Sequence, residues 1–290
     1  MTQDTPPPVW LVTGCSSGFG AAIAKAAIDK GHRVVVTARR PEQLRDLVER
    51  APDRVLALRL DLTIGSDAGE VVRQARERFG RIDVLVNNAG AGLVGAVEEC
   101  SPGEIEHVYR TNVFGTLDVT RVVLTAMREQ GSGHIVFITS IGALKAAPSV
   151  GIYNSSKAAL DCMAEALAAE TRPLGIKVTT FLPGLFKTDF RSRGITRAAK
   201  VISDYDATAG AVRSGLETPY PDSAGEPEDA AAAILDVIDS GKAPLRVVLG
   251  GDAVRGMEKK IAALQAELDE YRSLAIAHGG GADAMALYKF

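Results

Sequence analysis

The chain has 290 residues, of which 46% are hydrophobic and 24% charged, with a formal net charge of -3. That balance can bury a sizeable core without staples, and it lacks the basic excess that a nucleic-acid or anionic-membrane partner would require. The three cysteines, Cys15, Cys100 and Cys162, suggest neither a disulfide framework nor a metal cluster, no apolar run is long enough to span a bilayer, and the polar start MTQDTPPP does not read as a signal peptide, so the expectation is a soluble, cytoplasmic protein.

The first strand candidate, VWLVT (9–13), runs into Thr13-Gly14-Cys15-Ser16-Ser17-Gly18-Phe19-Gly20 and a helical stretch over 18–30. A strand, a glycine-rich turn and a helix N-terminus make an anion site: outward N–H groups and the helix dipole favour phosphate. Gly14, Gly18 and Gly20 permit the turn and close approach of a pyrophosphate, and Ser16 and Ser17 add hydroxyls. The spacing is G-x-x-x-G-x-G rather than G-x-G-x-x-G, and a ligand-free turn stays open as the alternative. The second strand, RVVVTA (33–38), ends at Ala38-Arg39-Arg40. An acidic residue there would accept from a ribose 2′-hydroxyl; arginine suits a 2′-phosphate. NADP(H) is therefore preferred, with NAD(H) open should Arg39 be only a solvated charge.

Further strands read at VLALRL (55–60), DVLVNN (83–88), HIVFIT (134–139), KVTTFL (177–182) and RVVLG (246–250), with helices over 41–50, 67–78, 102–130, 152–173 and 227–240. Short, two-sidedly apolar strands alternating with amphipathic helices predict a Rossmann-like α/β fold: a doubly wound, mostly parallel, seven-stranded sheet in one domain. Residues 1–8 read as a flexible start, 9–250 as the nucleotide-binding catalytic unit, and 251–290 as a C-terminal helix and tail. Within the unit, 189–226 has no clear element and reads as a substrate-covering flap or an exposed insertion. Over 253–274, Met257, Ile261, Leu264, Leu268 and Tyr271 form one stripe, expected to pack on the domain; a coiled-coil or oligomer contact is the lesser alternative, because the run is short. The last residues, 277–290, read as loosely ordered.

Tyr153 and Lys157 stand four apart on a predicted helix and so share a face. A nearby ammonium lowers the pKa of a phenol, which makes the pair a candidate acid–base group. Ser140 lies just past HIVFIT, where open α/β sheets place their ligand crevice, and its hydroxyl could orient a substrate oxygen.

Taken together, TGCSSGFG (13–20), Asp61-Leu62, NNAG (87–90), Ser140 with YNSSK (153–157), and PGLFKT (183–188) resemble the short-chain dehydrogenase/reductase family in its compact branch, from about Val9 to Val248. The resemblance implies an oxidoreductase moving hydride between NADP(H) and a ketone, aldehyde or secondary alcohol. Tyr153 would be its acid or base. Lys157 would lower the pKa of Tyr153 and hold the nicotinamide ribose, Ser140 would orient the carbonyl, and Asn112 would support a water linking Lys157 to solvent. Asp61 and Leu62 would flank the adenine. Asn88, Ala89 and Gly90 would line the cofactor's path, and Pro183, Gly184 and Thr188 would sit against the nicotinamide. Subgroup features are similar to retinol and 17β-hydroxysteroid dehydrogenases. Family habit implies a homodimer or homotetramer through the helices at 102–130 and 152–173. Leu93, Val94, Ile141, Ala143, Leu144, Leu185 and Phe186 are candidate pocket walls for a lipophilic substrate, with plain core as the alternative, and Lys145 adds a polar element. A non-catalytic NADP(H)-binding sensor or scaffold on the same fold is the alternative function.

Overall fold

A computed structural model describes residues 6–279. Its main sheet contains β1 (Val9–Val12), β2 (Arg33–Ala38), β3 (Val55–Arg59), β4 (Val84–Asn87), β6 (Gly133–Ile138), β7 (Ile176–Pro183) and β9 (Arg246–Leu249). Every pairing is parallel, in the order β3-β2-β1-β4-β6-β7-β9. The seven strands are those the sequence predicts. A separate parallel pair, β5 (Gly92–Val94) with β8 (Ile195–Arg197), was not foreseen. Both strands have only three residues, too few to show a period.

Side-chain alternation explains why the strands are apolar throughout. In β1, Trp10 and Val12 face one core, with Ile23 and Ala27 of α1 (Gly18–Asp29) and Ile234 and Leu235 of α8 (Pro227–Asp239). Val9 and Leu11 face the other. That second core holds Val71 and Val72 of α3 (Gly65–Phe79), Val119 and Val123 of α5 (Thr116–Gln130), and Leu160 and Ala164 of α6 (Gly151–Thr171). Helices on both faces bury both sides of the central strands, so these read as near-continuous apolar runs.

The chain steps from β1 outward to β2 and β3, then returns to β4 on the other side of β1. The strand order reverses between β1 and β4, and the crevice beyond their carboxyl ends is where such sheets bind ligands. The helix expected over 41–50 begins as a short 3₁₀ turn at Pro41 before α2 (Arg45–Arg50). The helix expected over 102–130 is α4 (Pro102–Tyr109) and α5, joined by a π-helical turn over Arg110–Gly115. Ser101 and Glu104 start α4 with a reciprocal capping box, and Pro102 occupies the first turn. The 189–226 segment contains a π turn at Phe190–Gly194, β8, two further turns and the short α7 (Ala211–Gly215).

The C-terminal helix α9 (Gly251–His278) corrects one expectation. Only its beginning packs on the body: Ala253 and Gly256 are buried, and a Cβ on Gly256 would lie 3.1 Å from Ile141. From Ile261 onward every described residue is exposed, including the stripe residues Ile261, Leu264, Leu268 and Tyr271. The helix continues straight past the part of the body that could cover it. The tail beyond Gly279 and the first five residues lie outside the described residues. Pro8 accepts a hydrogen bond from the Arg33 amide, which ties the end of the N-terminal stretch to β2.

Candidate active site

The glycine-rich turn leaves β1 and enters α1. Gly14 and Gly18 adopt φ values of +73° and +57°, where a side chain is strained. Gly20 is required for a different reason: an added Cβ would overlap the Gly14 carbonyl oxygen and the Asn88 side-chain amide. The turn is held from the neighbouring strand. Asn88 Nδ2 donates to the carbonyls of Thr13 (2.9 Å) and Gly14 (3.1 Å), while the Asn88 and Ala89 amides both donate to Thr13 Oγ1 at 3.0 Å. The two motifs TGCSSGFG and NNAG therefore form one braced unit. Thr13, which the sequence reading passed over, is its hub; its signal is a hydroxyl at the end of an otherwise apolar strand. Ser16, Ser17 and Phe19 line the turn, and the Phe19 ring packs edge-on against Phe186 at 5.1 Å.

At the end of β2, Arg39 is exposed and makes no ion pair among the described residues. It lies close enough to Asp61 to affect that carboxyl. Partial burial raises the Asp61 pKa, but hydrogen bonds from Thr63 and the charges of Arg39 and Arg59 outweigh it and hold the group below its ordinary range. Leu62 is buried and packs under the π turn, where its carbonyl blocks any Cβ on Gly115.

Asn112 sits in the π turn and is fully buried. Its Oδ1 accepts from the Ala91 amide at 2.7 Å, and its Nδ2 donates to the Ala91 carbonyl (2.8 Å) and Ser156 Oγ (2.9 Å). The wider π turn sets this side chain inward without ending the helix. Lys157 is buried beside it. Its Nζ donates to the Ile138 carbonyl at 2.9 Å, and a Cβ on Gly90 would lie 3.4 Å from that Nζ and 3.2 Å from Asn112 Oδ1. Three separate motifs thus meet at one point. Lys157 Nζ also lies 5.9 Å from the centre of the Tyr153 ring.

Burial pushes the Tyr153 phenol up to about 12, with the nearby Ser140 hydroxyl pulling the other way. Burial also draws Lys157 down to about 8. Ser140 follows β6 and caps the 3₁₀ turn Ile141–Ala143, its Oγ accepting from the Gly142 amide at 3.0 Å. Phe190, which the sequence reading missed, packs its ring on Tyr153 at 5.6 Å between centroids. Thr188 approaches the glycine turn: a Cβ on Gly18 would meet its side chain at 3.4 Å. Tyr220 donates to the Thr188 carbonyl at 3.0 Å and stacks under Arg191, so the far end of the 189–226 segment steadies its beginning.

The proposed pocket walls separate into groups. Leu93 and Val94 are buried in β5, with Leu93 packed against Cys100 and Val108. Phe186 is buried in the core on the α1 side. Leu185 and Phe186 line a cavity of about 530 Å³ with Leu249, Asp252 and Arg255, which does not include Ser140, Tyr153 or Lys157. Ile141, Ala143 and Leu144 are half-buried in the turn after Ser140, whereas Lys145 is exposed. Pro183 is buried at the end of β7. Gly184 is pressed against Asp252, whose Oδ2 accepts from the Leu185 amide at 2.8 Å. Asp252 ties α9 to the PGLFKT stretch; nothing in its local sequence marks it.

The 195–217 stretch is fastened by three acids before or within α4. Glu99 is 1% exposed, accepts from the Ala96 and Ile202 amides at 2.7 and 2.9 Å, and pairs with Arg213 at 2.7 Å. Glu98 accepts from the Tyr205 hydroxyl at 2.7 Å, and Glu104 from the Ala199 amide at 2.9 Å. The hydrogen bond from Ile202 is the main reason the Glu99 carboxyl is held below its usual range.

Residues 8–197 match the short chain dehydrogenase family. A curated relative, oxidoreductase BOA17 of Botryotinia fuckeliana, is 36% identical over 270 residues, covering 93% of this chain and 98% of the relative. Among solved structures, a short-chain dehydrogenase from Streptomyces avermitilis is 42% identical with a TM-score of 0.86, covering 92% of this chain and 98% of that one. A 3-ketoacyl-(acyl-carrier-protein) reductase from Brucella melitensis, complexed with NADH, is 26% identical with a TM-score of 0.71, covering 85% and 98%. The chain belongs to the short-chain dehydrogenase/reductase family of oxidoreductases.

Proposed function

We propose that the protein is an NADP(H)-preferring carbonyl reductase and alcohol dehydrogenase in which Ser140, Tyr153, Lys157 and Asn112 act together. The observation that carries this reading is the convergence of Tyr153, Lys157, Asn112 and Gly90 beside the braced glycine turn. The turn fits a dinucleotide: Gly14 and Gly18 bend it through positive φ at the start of α1, and backbone amides at a helix start suit a pyrophosphate. Gly14, Ser16, Ser17, Gly18, Phe19 and Gly20 would hold the phosphates, and Asp61 and Leu62 the adenine. Asn88, Ala89, Gly90, Pro183, Gly184 and Thr188 would hold the remainder, with Arg39 taking the 2′-phosphate. When bound, the nicotinamide supplies or accepts the hydride.

The chain's own residues govern the proton. Ser140 Oγ hydrogen-bonds the substrate oxygen and Tyr153 Oη delivers a proton to it as negative charge develops. With its phenol near 12, Tyr153 is fully protonated at neutral pH, the state that reduction consumes. Oxidation needs the phenolate, which the Lys157 ammonium stabilises. The Phe190 ring packed on Tyr153 gives that side of the site an apolar character, which supports a lipophilic ketone or secondary alcohol. No helix among the described residues is long and apolar enough to cross a membrane, and the free cysteines suit a reducing cytoplasm. Association into a dimer or tetramer through α4, α5 and α6 is part of the same reading, supported by the half-exposed Phe114 on the π turn.

Titration with NADPH and NADH, followed by nicotinamide fluorescence, tests the reading, with a panel of lipophilic ketones added while absorbance is watched. NADPH binding tighter than NADH, with turnover, is expected. Binding without turnover on any ketone or alcohol would favour a sensor, and binding of neither nucleotide would overturn the reading.

A further inference from the structure

The exposed part of α9 carries a seam with nothing set against it among the described residues. Val254, Met257, Ile261, Leu264, Leu268 and Tyr271 follow one another at alternating spacings of three and four residues. A globular body covers a wider stripe that repeats every 3.6 residues, whereas a mean spacing of 3.5 is what two supercoiled helices need. Ile261, Leu264, Leu268 and Tyr271 are 59%, 49%, 52% and 56% exposed, at positions where an isolated helix would carry polar residues. We propose that α9 pairs along this seam with α9 of a second copy of this chain.

The flanking charges select that occupant. One flank of the seam carries Lys260 and Glu267, and the other carries Glu258, Gln265 and Arg272. In a parallel pair Glu267 meets Arg272 of the partner subunit, and Lys260 meets Gln265 of the partner subunit. In an antiparallel pair centred between Ile261 and Leu264, Lys260 meets Glu267 of the partner subunit, and Glu258 meets Gln265 of the partner subunit. Neither arrangement sets like charges face to face. An anionic membrane surface would instead require a basic polar face, and here Glu258, Asp269 and Glu270 balance Lys259, Lys260 and Arg272. From Met257 to Tyr271 the seam is about 20 Å long at ~1.5 Å per residue. On a helix roughly 10 Å across, a contact of that length covers on the order of a few hundred Å² per partner, less than the roughly 800 Å² of a stable dimer. Pairing through α9 is therefore concentration-dependent and adds to any contact made by the body. It does not depend on the enzymatic reading.

Sedimentation velocity on the full chain, from low to high micromolar concentration, tests this against Leu264→Glu/Leu268→Glu. Both residues are exposed, so the variant should keep its circular dichroism and melting temperature. The wild-type mass should rise with concentration to about twice that of the variant. Equal masses at every concentration would overturn the proposal, whether the seam is bare, covered by the chain's own tail or reserved for another protein. Glu267→Lys should also weaken association. Adding Arg272→Glu should restore it if the helices run parallel, and adding Lys260→Glu if they run antiparallel. Restoration by neither would overturn the proposal as well.

Discussion

Thr13, Asn88 and Asn112 hold the floor of the cleft through hydrogen bonds to main chain, all buried or nearly so. Glu98, Glu99 and Glu104 hold the segment proposed to cover it, through carboxylates reaching across to 199–213. The floor is fixed by buried main-chain hydrogen bonds at the ends of β1 and β4 and in the π turn between α4 and α5. The cover is fixed by a few side chains and can be released by removing them. In the proposed function catalysis needs a preorganised constellation and substrates of varied shape need an adjustable roof, and the two regions would divide these requirements. The division predicts that damage to the floor lowers kcat or abolishes nucleotide binding, while damage to the latch shows chiefly in KM.

The largest effect should come from Tyr153→Phe. Removing the hydroxyl takes away the proton donor but leaves the ring on Phe190. Turnover should fall by about 10³-fold or more, since general acid catalysis contributes roughly 10²–10⁴, with NADPH affinity retained by fluorescence titration. A near-normal rate would remove Tyr153 from the mechanism. Gly20→Ala comes next. Its Cβ has no room against Gly14 and Asn88, so the turn must open. Nucleotide affinity should drop by about 100-fold, a cost near 2.7 kcal/mol, while the variant still folds by circular dichroism.

Glu99→Gln sharpens the contrast with the cover. It keeps the size of the side chain but removes the charge that faces Arg213, leaving a buried guanidinium without its carboxylate. The expected result is roughly a tenfold rise in KM with kcat within about twofold, an effect near 1.4 kcal/mol, together with faster proteolysis within 195–217. A fall in kcat with KM unchanged would mean that the latch shapes the floor rather than the roof.

What the sequence made legible follows the same line. The seven strands of the main sheet could be read because each is a short, mostly apolar run set between helical stretches. Tyr153 and Lys157 could be read because a helix turns their spacing of four into a shared face. The latch was not legible: Glu99 and Arg213 are 114 residues apart and meet only because β5 pairs with β8. Thr13 and Phe190 stayed hidden for a related reason, since each acts on a motif from a neighbouring strand or segment. Phe186 and Leu93 were read as pocket wall with plain core as the alternative; both are buried in hydrophobic clusters, and Phe186 also lines the cavity beside Leu249 and Asp252. The α9 stripe was legible as a stripe, but its sequence could not show that the body ends before the helix does.

The last prediction concerns the strain that the floor carries. Burial lowers Lys157 from its ordinary 10.5 to about 8. Between those values the unfolded chain binds a proton that the folded chain does not, so stability rises with pH across that window. Below about 8 both states are protonated and the full penalty of a buried ammonium remains, about 3 kcal/mol as an order of magnitude. Lys157→Met would remove the charge and keep the length. It would also lose the hydrogen bond to the Ile138 carbonyl, worth about 1 kcal/mol. The net expectation at pH 7 is a variant more stable by roughly 1–2 kcal/mol in urea unfolding, and inactive. Above pH 10.5 the unfolded lysine is neutral too, so the advantage should vanish and the lost hydrogen bond should leave the variant slightly less stable. A variant that is less stable at pH 7 would show that the ammonium is compensated within the fold, and that the floor is not strained for its chemistry.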